Sequence, residues 1–151
     1  MGYFMRYIIT SDQPITLARI EAGLQALDPA YAITNVQFDD LGDLMYGDQR
    51  LALVEINRPG DDIFEDDLAE FLDLVGAADA PAEQRVRAVL RTARTLVAAE
   101  IFWPGTEAEP VLEKVDRLWN WLFTHYDGLL QADNEGFYDA HDLILPRNFT
   151  L

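Results

Sequence analysis

The chain has 151 residues, 50% of them apolar, with Lys+Arg 11 against Asp+Glu 27 and a formal net charge of −16. That length suits a single domain with a sizeable core, and the apolar share excludes a disordered chain. The lack of cysteine excludes disulfides, thiolate metal sites and cysteine nucleophiles, and suits a reducing cytoplasm.

The acidity argues against nucleic acid and anionic membranes as partners, because holding phosphates requires Lys and Arg to displace counterions. Imitation of nucleic acid is the alternative use of such a surface, but solubility explains it more simply. The opening MGYFMRYIIT carries Arg6 inside its apolar run and no small-residue cleavage site, so no signal peptide is expected. Position 6 is not Ser or Thr, which argues against myristoylation of Gly2. No apolar run approaches the ~20 residues of a membrane-spanning helix.

Residues 3–10 alternate as a strand. Ser11, Asp12 and Pro14 signal a helix start, and Leu17, Ile20, Leu24 and Leu27 then share one helical face until Asp28-Pro29. Residues 31–38 predict a second strand, followed by an acidic loop with Asp39, Asp40, Asp43 and Asp48. Residues 50–57 predict a third strand, ended by the Asn57-Arg58-Pro59-Gly60 turn. One helix with Phe64, Leu68, Phe71, Leu72 and Val75 inward closes at Gly76. Another opens at Pro81 and carries Val86, Val89, Leu90 and Ala93. Residues 95–103 predict a fourth strand, and a helix follows from about 108 to 126 with Val111, Val115, Leu118, Trp119 and Leu122 inward. Short strands near 129–133 and 142–145 would form a hairpin.

This order predicts an α+β fold: a ferredoxin-like (split βαβ) plait over residues 1–105, extended by a helix and β-hairpin over 106–151, all in one domain. Strand one would then be central, flanked by strands three and four. Period two puts Arg6, Glu55 and Glu100 on one face of those strands, among apolar neighbours and away from the helices. Such a cluster is either an ion-pair group that sets register under the last helix or in a homodimer, or a ligand cleft. In the cleft Arg6 would take a carboxylate or phosphate and a glutamate would act as base.

Three further features stand out in the sequence. Residues 131–142 (QADNEGFYDAHD) partly match a calcium loop, with Gln131, Asp133, Glu135, Phe137, Asp139 and Asp142 at ligand positions and Gly136 at the turn. The first and last of these lack the strong carboxylate ligands, so a hairpin turn is the simpler account, leaving Asp133, Glu135 and Asp139 as weak metal candidates. Arg87, Arg91 and Arg94 share a helical face suited to pairing with the acidic helix (Asp62, Asp66, Asp67, Glu70, Asp73). Trp119, Trp121, Phe123 and Tyr126 cannot all be buried on one face of the last helix, so an exposed aromatic there would mark an interface.

His125 and His141 have no metal-binding spacing, Ser11 lies in no nucleophile motif, and neither a P-loop nor GxGxxG occurs. No cofactor is therefore expected. The segments WNWLFTHYDGLLQADNEGFYD and LVEINRPGDD resemble a family of small acidic bacterial α+β proteins with no assigned activity, a resemblance that implies no catalytic residues. The combined expectation is a non-catalytic, cytoplasmic interaction or regulatory protein, paired as a homodimer or with another protein. A small hydrolase or isomerase working from the sheet face is the alternative.

Overall fold

The computed structural model describes residues 2–147. Its elements in chain order are β1 (Tyr3–Ile9), α1 (Leu17–Leu27), β2 (Tyr31–Gln37), β3 (Leu41–Tyr46), β4 (Gln49–Asn57), α2 (Asp62–Val75) and α3 (Pro81–Arg91). These are followed by β5 (Thr95–Ile101), α4 (Glu109–His125), β6 (Gly128–Ala132), β7 (Gly136–Tyr138) and β8 (Leu143–Pro146). The fold is α+β: one 8-stranded sheet in the order β2-β3-β4-β5-β1-β6-β7-β8, with every described pairing antiparallel.

Alternation along β1 gives each face its own core. Met5, Tyr7 and Ile9 point to the side of α1 and α4, where Ile20, Leu24, Val115, Leu118 and Leu122 join them. Ile8 faces the opposite side and packs with Phe64, Phe71 and Val75 of α2 and Val86 and Leu90 of α3. Helices therefore cover both faces, whereas the expected plait would leave one open. No helix among the described residues is long and apolar enough to cross a membrane.

The strand order also differs from a plait. β1 lies between β5 and β6, so the third predicted strand, now β4, is not its neighbour. The cause lies between β4 and β5. A single crossover helix returns the chain to the start of the strand it left, which favours a parallel placement. Two helices in succession, α2 and α3, bring it back to the end where β4 stops, and β5 runs antiparallel beside β4. The split crossover occurs instead at β5-α4-β6, whose two strands flank β1 and are each antiparallel to it.

Two local expectations are corrected. The acidic stretch after residue 38 is not a loop but contains β3, because Leu44 is fully buried while Asp43 turns outward to Arg50 and Asn35. The C-terminal hairpin is a three-strand meander: β7 lies between β6 and β8, held by Phe137, itself fully buried against Phe71. β6 pairs with β1, so the residues expected as an extension are integral to the sheet.

Candidate functional site

Arg6 is opposite Ala98 of β5 and Gln131 of β6, and only 1% exposed. Its Nε donates to Asp67 of α2 at 3.1 Å, and its Nη1 donates to Gln131 at 2.8 Å and to Asp133 at 3.1 Å. Gln131 in turn donates to the same Asp133 oxygen at 3.1 Å, and the rings of Phe4 and Phe71 lie 5.2 and 5.4 Å from the guanidinium carbon. Burial pushes the Asp67 carboxyl above the usual range, and Arg6 offsets part of that rise.

The ion pairs of Arg6 are thus with Asp67 and Asp133, not with the expected Glu55 or Glu100. Glu55 does share Arg6's face but stands opposite Ala98 from the far side, two strand spacings or ~10 Å away. Glu100 is opposite Phe4, and its carboxyl lies where a Cβ on Gly2 would fall. Arg6 and Glu55 do line one groove of about 360 Å³ beside Ile63 and Asp67 of α2. Burial, and next the charges of Asp61, Asp40 and Asp67, raise the Glu55 carboxyl.

Arg6's face is covered by α2 and α3, where the expectation was the last helix, a second copy or an open cleft, and the sequence did hold the signal. Asp67 sits within the apolar stripe of α2, three residues after Phe64 and four before Phe71, so it must turn toward the sheet. Gln131 and Asp133 continue the phase of Leu129 on β6 and arrive on the same face.

The acidic turn does not converge on an ion. Asp133 turns inward to Arg6, while Glu135 accepts from the hydroxyls of Tyr3 and Tyr138. Asp139 accepts from the backbone N–H of His141 and Asp142 at 2.8 and 2.7 Å and pairs with Arg85 at 3.3 Å; the two backbone bonds lower its carboxyl pKa. Among the described residues no group of three or more His, Asp or Glu is placed to hold a metal ion. His125 Nδ1 is 2.8 Å from the carbonyl of Trp121 and its ring stacks on that indole.

Of the arginines on α3, Arg85 pairs with Asp139 and Arg87 binds the carbonyls of Gly76 and Ala78 rather than α2's acids, and beyond the helix Arg94 meets Asp12. The aromatic end of α4 is internal. Trp121 and Tyr126 are buried, and Phe123 stands edge-on to Tyr7 at 4.8 Å. Trp121 is accommodated because α1 offers Gly23 against its indole. The apolar surface expected to support self-association, on the sheet face and on this helix, is therefore largely covered within the chain.

Exposed apolar groups gather elsewhere. Phe38, at the β2–β3 turn, is 92% exposed, with Val36 at 48% and Ile63 of α2 at 51%. Asn35, Phe38 and Asp39 all hold positive φ (53°, 54° and 63°), a region that side-chain-bearing residues avoid. Exposed Asp39, Asp61 and Asp62 surround this tip, and Arg58 joins it through Asp40 at 2.5 Å. Phe38 was expected to end a strand; the sequence's only sign of the irregularity is the change of apolar phase between Ile33 and Val36, where the β2–β3 register shifts.

No protein-family model, curated protein or solved structure matches the chain.

Proposed function

We propose that the chain is a non-catalytic, cytoplasmic interaction protein that pairs with a second copy of itself through the β2–β3 hairpin tip. The observation that carries this reading is Phe38: a large aromatic held almost fully in solvent by left-handed backbone at a non-glycine residue. Such conformations cost roughly 1–3 kcal/mol each and persist where the surroundings impose them, often at binding surfaces. Burying one Phe recovers about 1.5–3 kcal/mol, and a two-fold contact buries it twice. Val36 and Ile63 enlarge the apolar patch, and the exposed carboxylates of Asp39, Asp61 and Asp62 rim it.

Two chains of charge −16 repel at long range, so pairing should tighten as salt screens them. The test is sedimentation velocity at tens of micromolar, at 0.02 and 0.5 M NaCl. A dimer favoured by salt and abolished by Phe38→Asp, with circular dichroism unchanged, supports the proposal. A monomer under both conditions, or a dimer indifferent to Phe38→Asp, counts against it.

A hydrolase or isomerase working from the Arg6 face ranks second. The groove shared by Arg6 and Glu55 favours it, but Asp67 and Asp133 already neutralise the guanidinium that would hold substrate.

A further inference from the structure

Glu55 and Asn57 point from β4 toward α2. They sit two residues apart on the strand, and Asn57 stands opposite Leu96, which packs into the core beneath α2 and α3. Both line the groove of about 360 Å³ that Ile63 and Ala98 also border. The same two residues, again with Ile63, border a second groove of about 430 Å³ on the side of Phe38. Asn57 is only 3% exposed, and its side-chain amide makes no hydrogen bond among the described residues. Buried side-chain amides ordinarily find a partner. This one is not sealed from solvent either, so the surface it keeps opens where the two grooves meet. The Glu55 carboxylate beside it is half-buried and likewise bonds to nothing among the described residues.

The groove is short of positive charge. Glu55, Asp66, Asp67 and Glu70 line it with Arg6, whose guanidinium is already held by Asp67 and Asp133. Burial, and next the charges of Asp61, Asp40 and Asp67, raise the Glu55 carboxyl, as happens where a carboxylate lacks a cation. An anionic ligand would meet like charges there, and an uncharged one would leave Glu55 without a counter-ion. A calcium or magnesium ion needs about six oxygens around it. Phe4, Ile63 and Ala98 instead give the groove apolar walls, and no metal-holding group forms among the described residues. An ammonium on a hydrocarbon chain meets both demands, with three N–H donors, no acceptor and an apolar stem. We propose that this groove binds the ammonium group of a small primary amine, with the Glu55 carboxylate and the Asn57 carbonyl oxygen accepting from it. The alkyl chain then lies on Phe4, Ile63 and Ala98. The volume falls within the roughly 300–1,000 Å³ of small-molecule sites.

The test follows the Asn57 side-chain N–H resonances of the intact ¹⁵N-labelled protein at pH 7, assigned by triple-resonance spectra. The titrants are butylamine hydrochloride, tetramethylammonium chloride, 1-butanol and a lysine blocked at both backbone ends. Ionic strength is held at about 0.2 M, where exposed charges more than ~10 Å apart are largely screened. The expected result is a saturable shift with butylamine that weakens at least tenfold in Glu55→Gln. Should that variant not fold, Asn57→Ala, read at the Glu55 backbone amide, replaces it with the same expected loss. Butanol, which lacks the charge, and tetramethylammonium, which lacks the N–H donors, should each bind at least tenfold more weakly. The response should persist in Phe38→Asp, which keeps this groove apart from the pairing surface. Silence with butylamine overturns the proposal. So does a response unchanged by Glu55→Gln, matched by butanol or tetramethylammonium, or lost in Phe38→Asp. Tighter binding of the blocked lysine would assign the groove to a protein side chain rather than a free amine, and would overturn it as well.

Discussion

Removing the Arg6 side chain would leave Asp67 and Asp133 buried on the same face without the guanidinium that pairs them, and the Asp133 charge already raises the cost of charging Asp67. Breaking a buried pair from one side costs about 3–5 kcal/mol, so Arg6→Leu is expected to lose that much in urea denaturation at pH 7. The pH dependence has a definite sign. Asp67's folded carboxyl lies above its unfolded value, so its contribution is most favourable below the unfolded pKa and declines as pH rises through the folded one. Without Arg6 the folded value rises further, so the variant's deficit should be larger at pH 8 than at pH 5. Adding Asp67→Asn and Asp133→Asn should recover part of it and flatten the profile; an equal deficit at both pH values would refute this account. The turn acids give a second expectation. Asp133 is engaged with Arg6 and Asp139 with two backbone N–H groups, so millimolar calcium should leave the melting temperature where magnesium leaves it. A calcium-selective rise removed by Asp133→Asn with Glu135→Gln would show a site there. At this scale the sequence marked Arg6 as exceptional, a lone charge in an apolar alternating strand. Its partners were hidden because Asp67 belongs to a helix that period two alone does not place over that strand.

The helix pair α1–α4 shows how one missing side chain sets an interface. A glycine inside a helix is ordinarily improved by alanine, by about 1 kcal/mol of propensity. Gly23 reverses that rule, because a Cβ there would lie 2.2 Å from Nε1 and 2.3 Å from Cε2 of Trp121. The obstacle is a rigid ring, held by stacking on His125 and by its tilted contact with Tyr126 at 5.9 Å. Gly23→Ala should therefore destabilise by about 1–3 kcal/mol, as overpacking does, and Gly23→Ala with Trp121→Leu should regain much of the loss. Thermal or urea denaturation of the two variants decides it; a stabilised single variant would mean that the helices separate freely. Both helices were legible from their apolar spacing, and so was the stripe from Val111 to Leu122. Their mutual contact was not, since a lone glycine carries no directional signal. β3 was missed for the opposite reason: its acids suggested a loop, while Leu41 and Leu44, the strand-forming residues, are few and interrupted by Gly42 and Asp43.

The sequence order read as a plait because its first strands and helices come in the right succession, and it is the count of helices between β4 and β5 that redirects the chain. With two helices there, β5 falls beside β4, and β1 is left needing a second neighbour that only the C-terminal third supplies. β6 fills that place with five paired residues, Met5↔Ala132 through Ile9↔Gly128, and Thr10 N–H continues the ladder to the carbonyl of Asp127 at 2.9 Å. Tyr7 adds a long-range tie by donating to the carbonyl of Tyr126 at 2.6 Å, deep in the core shared with α4. A chain ending at residue 105 would lack β6 and α4 together. It would expose the edge of β1 and uncover the apolar side chains of Met5, Tyr7 and Ile9, while Arg6 would lose Gln131 and Asp133. Unpaired edges and uncovered sheet faces are what drives aggregation rather than folding. Residues 1–105 alone should therefore give a collapsed proton spectrum and no cooperative thermal transition, and should stay insoluble or bind a hydrophobic dye. If that fragment instead melts cooperatively with dispersed amide resonances, the first 105 residues form an independent plait and the eight-stranded sheet is not the unit of folding. Supplying residues 106–151 in trans offers the complementary measurement: because β6 inserts beside β1 and α4 caps the same core, the two pieces should fold only when mixed, with a transition that depends on their concentrations.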